Sequence, residues 1–340
     1  SLFLSLCMII SLVPAAFAVD MQVSAATITS GGNTYETLQE AIDAATAGDV
    51  ISISAGEIDL GEEKVEINKK VTLEGVGTDT VLRGTNTSDY SLGMLTFGAG
   101  SEGSVLQNLT VAYTATGAQS QAVYFNYGFA GSAENKTVIR NVSFVGAESL
   151  GTIGQETAIA STYLQGGYVD ITDCSFKNFK YAMYFNGITN VAITGNAIDG
   201  TKYNAINIAA DNSEYCCQAI EIRDNILTNI SAGNYAYDEY SSAVRIGFSV
   251  ADIMVEDNSI AMLNDKQPVY HDNEAKIGGT YYATLAAAIT AAAQSTDAST
   301  IDLLKDVSSD AISLSAGVTL NGNGYTLTYS GTGTADSPAN

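Results

Sequence analysis

The 340-residue chain carries 14 Lys and Arg against 37 Asp and Glu, a formal net charge of -23. That balance argues against nucleic acid and anionic membrane surfaces as partners, and it would repel a polyanionic substrate unless a cation bridged it. A dispersed acidic surface also serves simply to keep an extracellular protein soluble.

Residues 1–18 are apolar without a charge and end in Ala16-Phe17-Ala18, a small-x-small pattern. This predicts the h-region and cleavage site of a secretory signal peptide, truncated at its start because no basic n-region or initiator Met precedes it. The run contains Ser and Pro14 and is barely long enough to span a bilayer, so export is favoured over an anchor. The mature chain is expected to be secreted, with no membrane insertion and with any cell-surface attachment supplied from outside this sequence.

Gly31 to Ala45 reads as an amphipathic helix, with Asn33 and Glu36 as a capping box, Tyr35, Leu38, Ile42 and Ala45 on one face, and Gly48 as its stop. Val50, Ile51 and Ile53 open a strand, and Val65, Ile67, Val71 and Leu73 follow at a spacing of two. To about residue 273 the pattern stays short, alternating and β-branched, broken by Gly, Asn and Asp.

One segment recurs, most clearly in 169–176, 191–198, 220–227 and 253–260. Aligning it puts Leu109, Val142, Cys174, Asn196, Asn225 and Asn258 in one column, at spacings of 33, 32, 22, 29 and 33 residues. A minimum of 22 with variable additions is what a coil of three short strands gives when its turns accept insertions. Those insertions fall at 113–120, 128–136, 145–156, 211–218 and 231–241, predicting loops that project mostly from one face. Seven coils can be placed, a rod about 34 Å long at the spacing of paired strands. The column asparagines are expected to form an amide ladder at a turn that needs left-handed backbone angles. Cys174 reads as a small core residue, and the neighbours Cys216 and Cys217 as free thiols in preference to a strained vicinal disulfide.

The helix, Gly48-Asp49-Val50-Ile51 and Val71-Thr72-Leu73-Glu74-Gly75 together resemble the cap and first coil of right-handed parallel β-helix proteins of the pectate-lyase-like superfamily. The resemblance covers roughly residues 28–273. It implies an all-β solenoid with an N-terminal capping helix, and it leaves activity open, because that group includes lyases, hydrolases, epimerases, tailspikes and adhesins. Gly278 to Ala292 repeats Gly31 to Ala45 at a constant offset of 247 residues. The expected organisation is therefore a signal at 1–18, a β-helix at 27–273, and at 275–340 a repeated cap helix with the first strands of a second, incomplete module. The alternative is that the repeat caps the far end of the first solenoid.

Alternation in the strand preceding each column segment points Tyr124, Tyr184, Asn207, Arg245 and Tyr270 outward on successive coils, with Asn126, Asn186 and Asp272 as a second outward row. Aromatic faces and amides suit sugar rings, although tyrosines on an exposed sheet also pack merely on one another. Arg245, Asp238, Glu239 and Asp272 form the one constellation worth testing as catalytic; an ordinary surface ion pair is the competing reading. His271, the only histidine, is expected inward or at the solenoid's end. Asp173, Asp224 and Asp257 beside the column are candidate Ca²⁺ ligands, or turn residues bonded to their own backbone; no cofactor is required. The leading expectation is a secreted surface protein that binds a carbohydrate or host glycan, or mediates adhesion, without catalysis. The alternatives are a polysaccharide lyase or glycoside hydrolase on the loop-flanked face, and a structural spacer.

Overall fold

The computed structural model describes residues 24–85, 93–115, 120–209, 213–233 and 237–331. The expected signal segment, 1–18, lies outside the described residues. Within them the chain winds as coils of three strands, each strand pairing in parallel with its counterpart one coil away. One ladder has eight strands: Val65–Ile67, Leu95–Phe97, Ser120–Phe125, Glu156–Thr162, Tyr181–Asn186, Ile206–Ile208, Val244–Ile246 and Val269–His271. The fold is a right-handed parallel β-helix, the hand that parallel crossovers take.

Inward residues stack in rows that follow the register. Ile51, Leu73, Leu106, Ile139, Ile171, Ile193 and Ile222 form one such row, all fully buried. Phe144 lies parallel on Phe176 at 4.8 Å between centroids, and Phe97 stacks on Phe125 at 5.4 Å. Each fully buried side chain of this kind contributes about 1.5–3 kcal/mol, so the core is a set of one-dimensional stacks repeated coil by coil.

The predicted amide ladder is present, and its left-handed residue is displaced by one. Asn225 Oδ1 accepts from both the backbone N–H (2.9 Å) and Nδ2 (3.0 Å) of Asn196, and Asn258 Oδ1 serves Asn225 in the same way. The Nδ2 groups of Asn196, Asn225 and Asn258 also donate to the carbonyls of Ile171, Ile193 and Ile222. Positive φ falls on the preceding residues, Asn108, Asn141, Asp173, Gly195, Asp224 and Asp257. These are Asn, Asp or Gly, the types that tolerate αL at least cost. Cys174 is buried beside the ladder, its thiol pushed up to about 12 by burial, and Cys174, Cys216 and Cys217 are free.

The N-terminal cap differs in detail from expectation. Gly31 and Gly32, both at positive φ, make a two-residue turn joining Ile28–Ser30 to Asn33–Tyr35 as a hairpin, so α1 starts later, at Leu38–Ala44. Its capping box is Thr37 with Glu40. Asn33 and Glu36 have no part in it, because the glycine turn commits Asn33 to a strand. Gln39 accepts from the Glu66 N–H (2.8 Å) and donates to its carbonyl (3.2 Å), satisfying the open edge of the first strand in the eight-stranded ladder. In the C-terminal segment Ala275–Ile277 and Thr280–Tyr282 form the corresponding hairpin, and Thr284 caps a helix at Leu285–Gln294. A separate apolar cluster, including Ala275, Leu285, Ala288 and Ile301, lies beneath that helix. Ser299–Leu303 then pairs in parallel with Val318–Asn321.

Candidate functional site

On the eight-stranded ladder the outward row reads Glu66, Thr96, Tyr124, Ala160, Tyr184, Asn207, Arg245 and Tyr270. The insertions flank this face on both edges instead of sharing one. Those at 113–120, 145–156 and 231–241 lead into its strands, and those at 128–136 and 211–218 leave them. Tyr184, Arg245, Tyr270 and Asn126 remain partly exposed.

Three expected ligand contacts are covered. Tyr124 is 3% exposed, Asn186 4% and Asn207 1%. Gly93 packs against the base of Tyr124, where an added Cβ would come to 2.8 Å of the Tyr124 Cβ. Asn207 Nδ2 donates to Asn204 Oδ1 (2.9 Å), and Asn204 in turn donates to the carbonyls of Glu239 and Ser242, tying down the segment with the short helix Asp238–Ser241. Asn207 therefore braces a loop and does not face solvent.

Of the expected quartet only Arg245 and Asp272 are joined directly, while Glu239 lies close enough for its charge to act on both Arg245 and Tyr270. Arg245 and Asp272 do meet, through Nη2 to Oδ2 at 2.9 Å and Nε to Oδ1 at 3.3 Å, with side-chain exposures of only 19% and 7%. Burial pulls the guanidinium down, and the hydrogen bonds and charge of Asp272 outweigh it and hold Arg245 above its ordinary value. Both oxygens of Asp272 are thus committed to one cation, which leaves it poorly placed as a base. Asp238 is exposed and pairs instead with Lys266 at 2.6 Å. Asp173, Asp224 and Asp257 sit on the left-handed turn, and Asp224 pairs with Arg223 at 2.7 Å. Among the described residues no three His, Cys, Asp or Glu side chains group to hold a metal.

Around Arg245 stands an aromatic cluster. Tyr181 stacks on Tyr203 at 5.3 Å and 14°, Tyr240 meets Tyr203 edge-on at 6.0 Å, and Tyr184 lies 5.3 Å from Tyr181. Arg245 Cζ is 5.6 Å from the Tyr240 ring centre, and Lys180 Nζ is 5.5 Å from both the Tyr181 and Tyr203 rings. Glu156 is buried close enough to act on Lys180 and Lys202 of this group. Burial raises its pKa against the opposing hydrogen bonds of the backbone, and burial followed by repulsion from Lys202 lowers that of Lys180. The sequence signal for this group was the dipeptide Lys180-Tyr181, repeated one coil later as Lys202-Tyr203.

A carboxylate raised in the folded state gives stability below its ordinary pKa and loses it as pH rises through the folded value. Glu156→Gln is accordingly expected to raise Tm at pH 7, with the gain shrinking toward pH 4. An equal gain at both pH values, in melts followed by circular dichroism, would assign it to packing instead.

No protein-family model matches the chain, and no curated protein matches it in sequence. Among solved structures it is similar to the mannuronan C-5 epimerase AlgE4 A-module of Azotobacter vinelandii, at 13% identity and a TM-score of 0.27, over 68% of this chain and 92% of that chain. It is also similar to the surface protein and adhesin PfbA of Streptococcus pneumoniae, at 13% identity and a TM-score of 0.29, over 69% and 94%. The AlgE6 A-module gives 12% identity and a TM-score of 0.27, over 86% and 91%. Among the described residues no helix is long and apolar enough to cross a membrane.

Proposed function

We propose that this chain is a secreted, surface-displayed β-helix protein that binds a carbohydrate at the Arg245 edge of its eight-stranded face without turning it over. The observation that carries the reading is the pair of half-buried rings Tyr203 and Tyr240, backed by the buried Tyr181, with Arg245 over the Tyr240 ring and locked in place by Asp272. Rings present apolar faces to sugars, while the phenols and nearby cations offer hydrogen bonds to hydroxyls. Commitment of Asp272 to Arg245 and of Asp238 to Lys266 favours binding over hydrolysis. The separate core under Leu285–Gln294 supports reading residues 275–340 as the opening of a second module.

A glycan array combined with reducing-end and unsaturated-uronate assays tests this. Capture without product is expected, weakened about tenfold by Tyr240→Ala and by the double variant Arg245→Leu/Asp272→Asn, which avoids stranding a buried charge. Turnover of any glycan overturns the non-catalytic reading: unsaturated product favours a lyase, which the depressed Lys180 amine would suit, and reducing ends alone favour a glycoside hydrolase, which the raised Glu156 carboxyl would suit.

A further inference from the structure

The opposite edge of the same face carries a second set of aromatic side chains that the outward row does not include. In register, Phe125, Ser161, Phe185, Ile208 and Ile246 occupy one row across successive coils. Two residues beyond that row lie Tyr127, Tyr163, Gly187 and Phe248. The three aromatic members are among the most exposed large side chains of the protein, at 69%, 48% and 57%. Gly187 breaks the sequence pattern and the surface fills the gap: the Tyr215 Cβ lies 2.9 Å from where a Cβ on Gly187 would sit, and the Tyr215 ring is 5.2 Å from that of Tyr163. Tyr127, Tyr163 and Tyr215 thus serve three consecutive coils.

Tyr163 holds a left-handed backbone, φ 55, which is an outlier for a bulky side chain. Its N–H donates to the Asn186 carbonyl at 2.7 Å, so pairing with the next coil holds the strained residue in place. Rings this exposed, one of them on a backbone conformation that its side chain disfavours, do nothing for the core. Their rise is one coil, about 4.8 Å, close to the length of one pyranose unit in an extended polysaccharide. Charge narrows the class. The cations of this face, Lys180, Lys202 and Arg245, cluster at the other edge, Glu214 adjoins Tyr215, and the whole chain carries -23.

The geometry points to a second glycan site along this edge, in which Tyr127, Tyr163 and Tyr215 contact successive units of an uncharged polysaccharide running parallel to the solenoid axis, Tyr163 and Tyr215 meeting edge-on at 61° so that one offers its face and the other its edge. It rests on the reading that this face binds carbohydrate, and adds a separate surface and a ligand class to it.

The test uses the full chain against soluble neutral β-glucan, cellohexaose, chitohexaose and polygalacturonate, by affinity electrophoresis and titration. Because the chain has no tryptophan, Tyr127→Trp supplies a single reporter whose emission should shift on addition of a bound neutral glycan. Tyr163→Asn, which keeps a residue suited to the left-handed backbone, and Tyr127→Ala are each expected to weaken neutral-glycan binding about tenfold, leaving binding at the Arg245 edge intact. Glycan binding that is indifferent to both variants but lost in Arg245→Leu/Asp272→Asn overturns this inference alone. Binding confined to polygalacturonate does the same. Silence toward every glycan sinks it together with the proposed function, and a dimer in sedimentation velocity that Tyr163→Asn dissolves would reassign the edge as a contact between copies.

Discussion

Replacing Asn225 by alanine is expected to destabilise the solenoid by about 3–5 kcal/mol, read as a lowered urea midpoint at unchanged m-value. Asn225 is the middle rung of the ladder. Its Oδ1 is the acceptor for the buried Asn196 N–H, and its Nδ2 serves both the Ile193 carbonyl and Asn258 Oδ1. Truncation leaves at least two buried backbone groups without partners, each costing about 1–3 kcal/mol, and opens a side-chain-sized void as well. Asn258→Ala, at the ladder's half-buried end, should cost less, about 1–2 kcal/mol. Asn225→Leu separates the two causes. Leucine fills the volume, as Leu109 does in its own coil, but accepts no hydrogen bond. If Asn225→Leu were as stable as the parent, filling and not bonding would be what the position requires, and the ladder would lose its structural role.

That distinction also explains how far the sequence could be read. A solenoid must repeat its turn in every coil, so the column from Leu109 to Asn258 was visible from spacing alone. Its chemistry was ambiguous because asparagine does two jobs there. At Asn108 and Asn141 it tolerates the left-handed backbone, and at Asn196, Asn225 and Asn258 it bonds sideways through its amide. Composition does not separate these roles. The strand Glu156–Thr162 escaped notice for a different reason: Thr157-Ala158-Ile159-Ala160-Ser161 alternates between small residues, giving little contrast between its faces. That strand carries Ala160 of the outward row and the buried Glu156.

The outward phase of Tyr184, Arg245 and Tyr270 followed from period two, but whether an outward residue meets solvent depends on loops. The Asn204 hydrogen bonds that hold 237–243 in place are long-range and left no local trace, so Asn207 looked like a contact and is a brace. The same holds for Asp272. Its outward row follows from alternation, and its bidentate hold on Arg245 depends on how two consecutive coils stack.

Lowering the pH from 6.5 to 4.5 is expected to remove about 2–3 kcal/mol of stability through one residue, His271. It occupies, in the last coil, the inward position held by Phe97, Phe125 and Phe185 in earlier ones. It stacks on Tyr281 at 6.0 Å between centroids and lines a cavity of about 420 Å³ with Lys276, Glu256 and Tyr325. Among the described residues its Nδ1 has no hydrogen-bond partner. Burial, and then the charges of Lys276 and Lys305, push its pKa down from 6.5 to about 4. A depressed folded pKa means that the unfolded chain takes up the proton first. The stabilising contribution is therefore complete above pH 6.5 and is lost as pH falls toward 4. With no other histidine in the chain, the competing titrations in this window are those of carboxylates, among them Glu156, whose raised pKa acts in the opposite sense as the pH falls. His271→Phe, which restores the residue of the earlier coils, should flatten the stability profile between pH 6.5 and 4.5 while keeping the stability at pH 7. A variant that lost stability over that range as steeply as the parent would place the acid sensitivity in the carboxylates, and His271 would be an inert part of the last strand of the eight-stranded ladder.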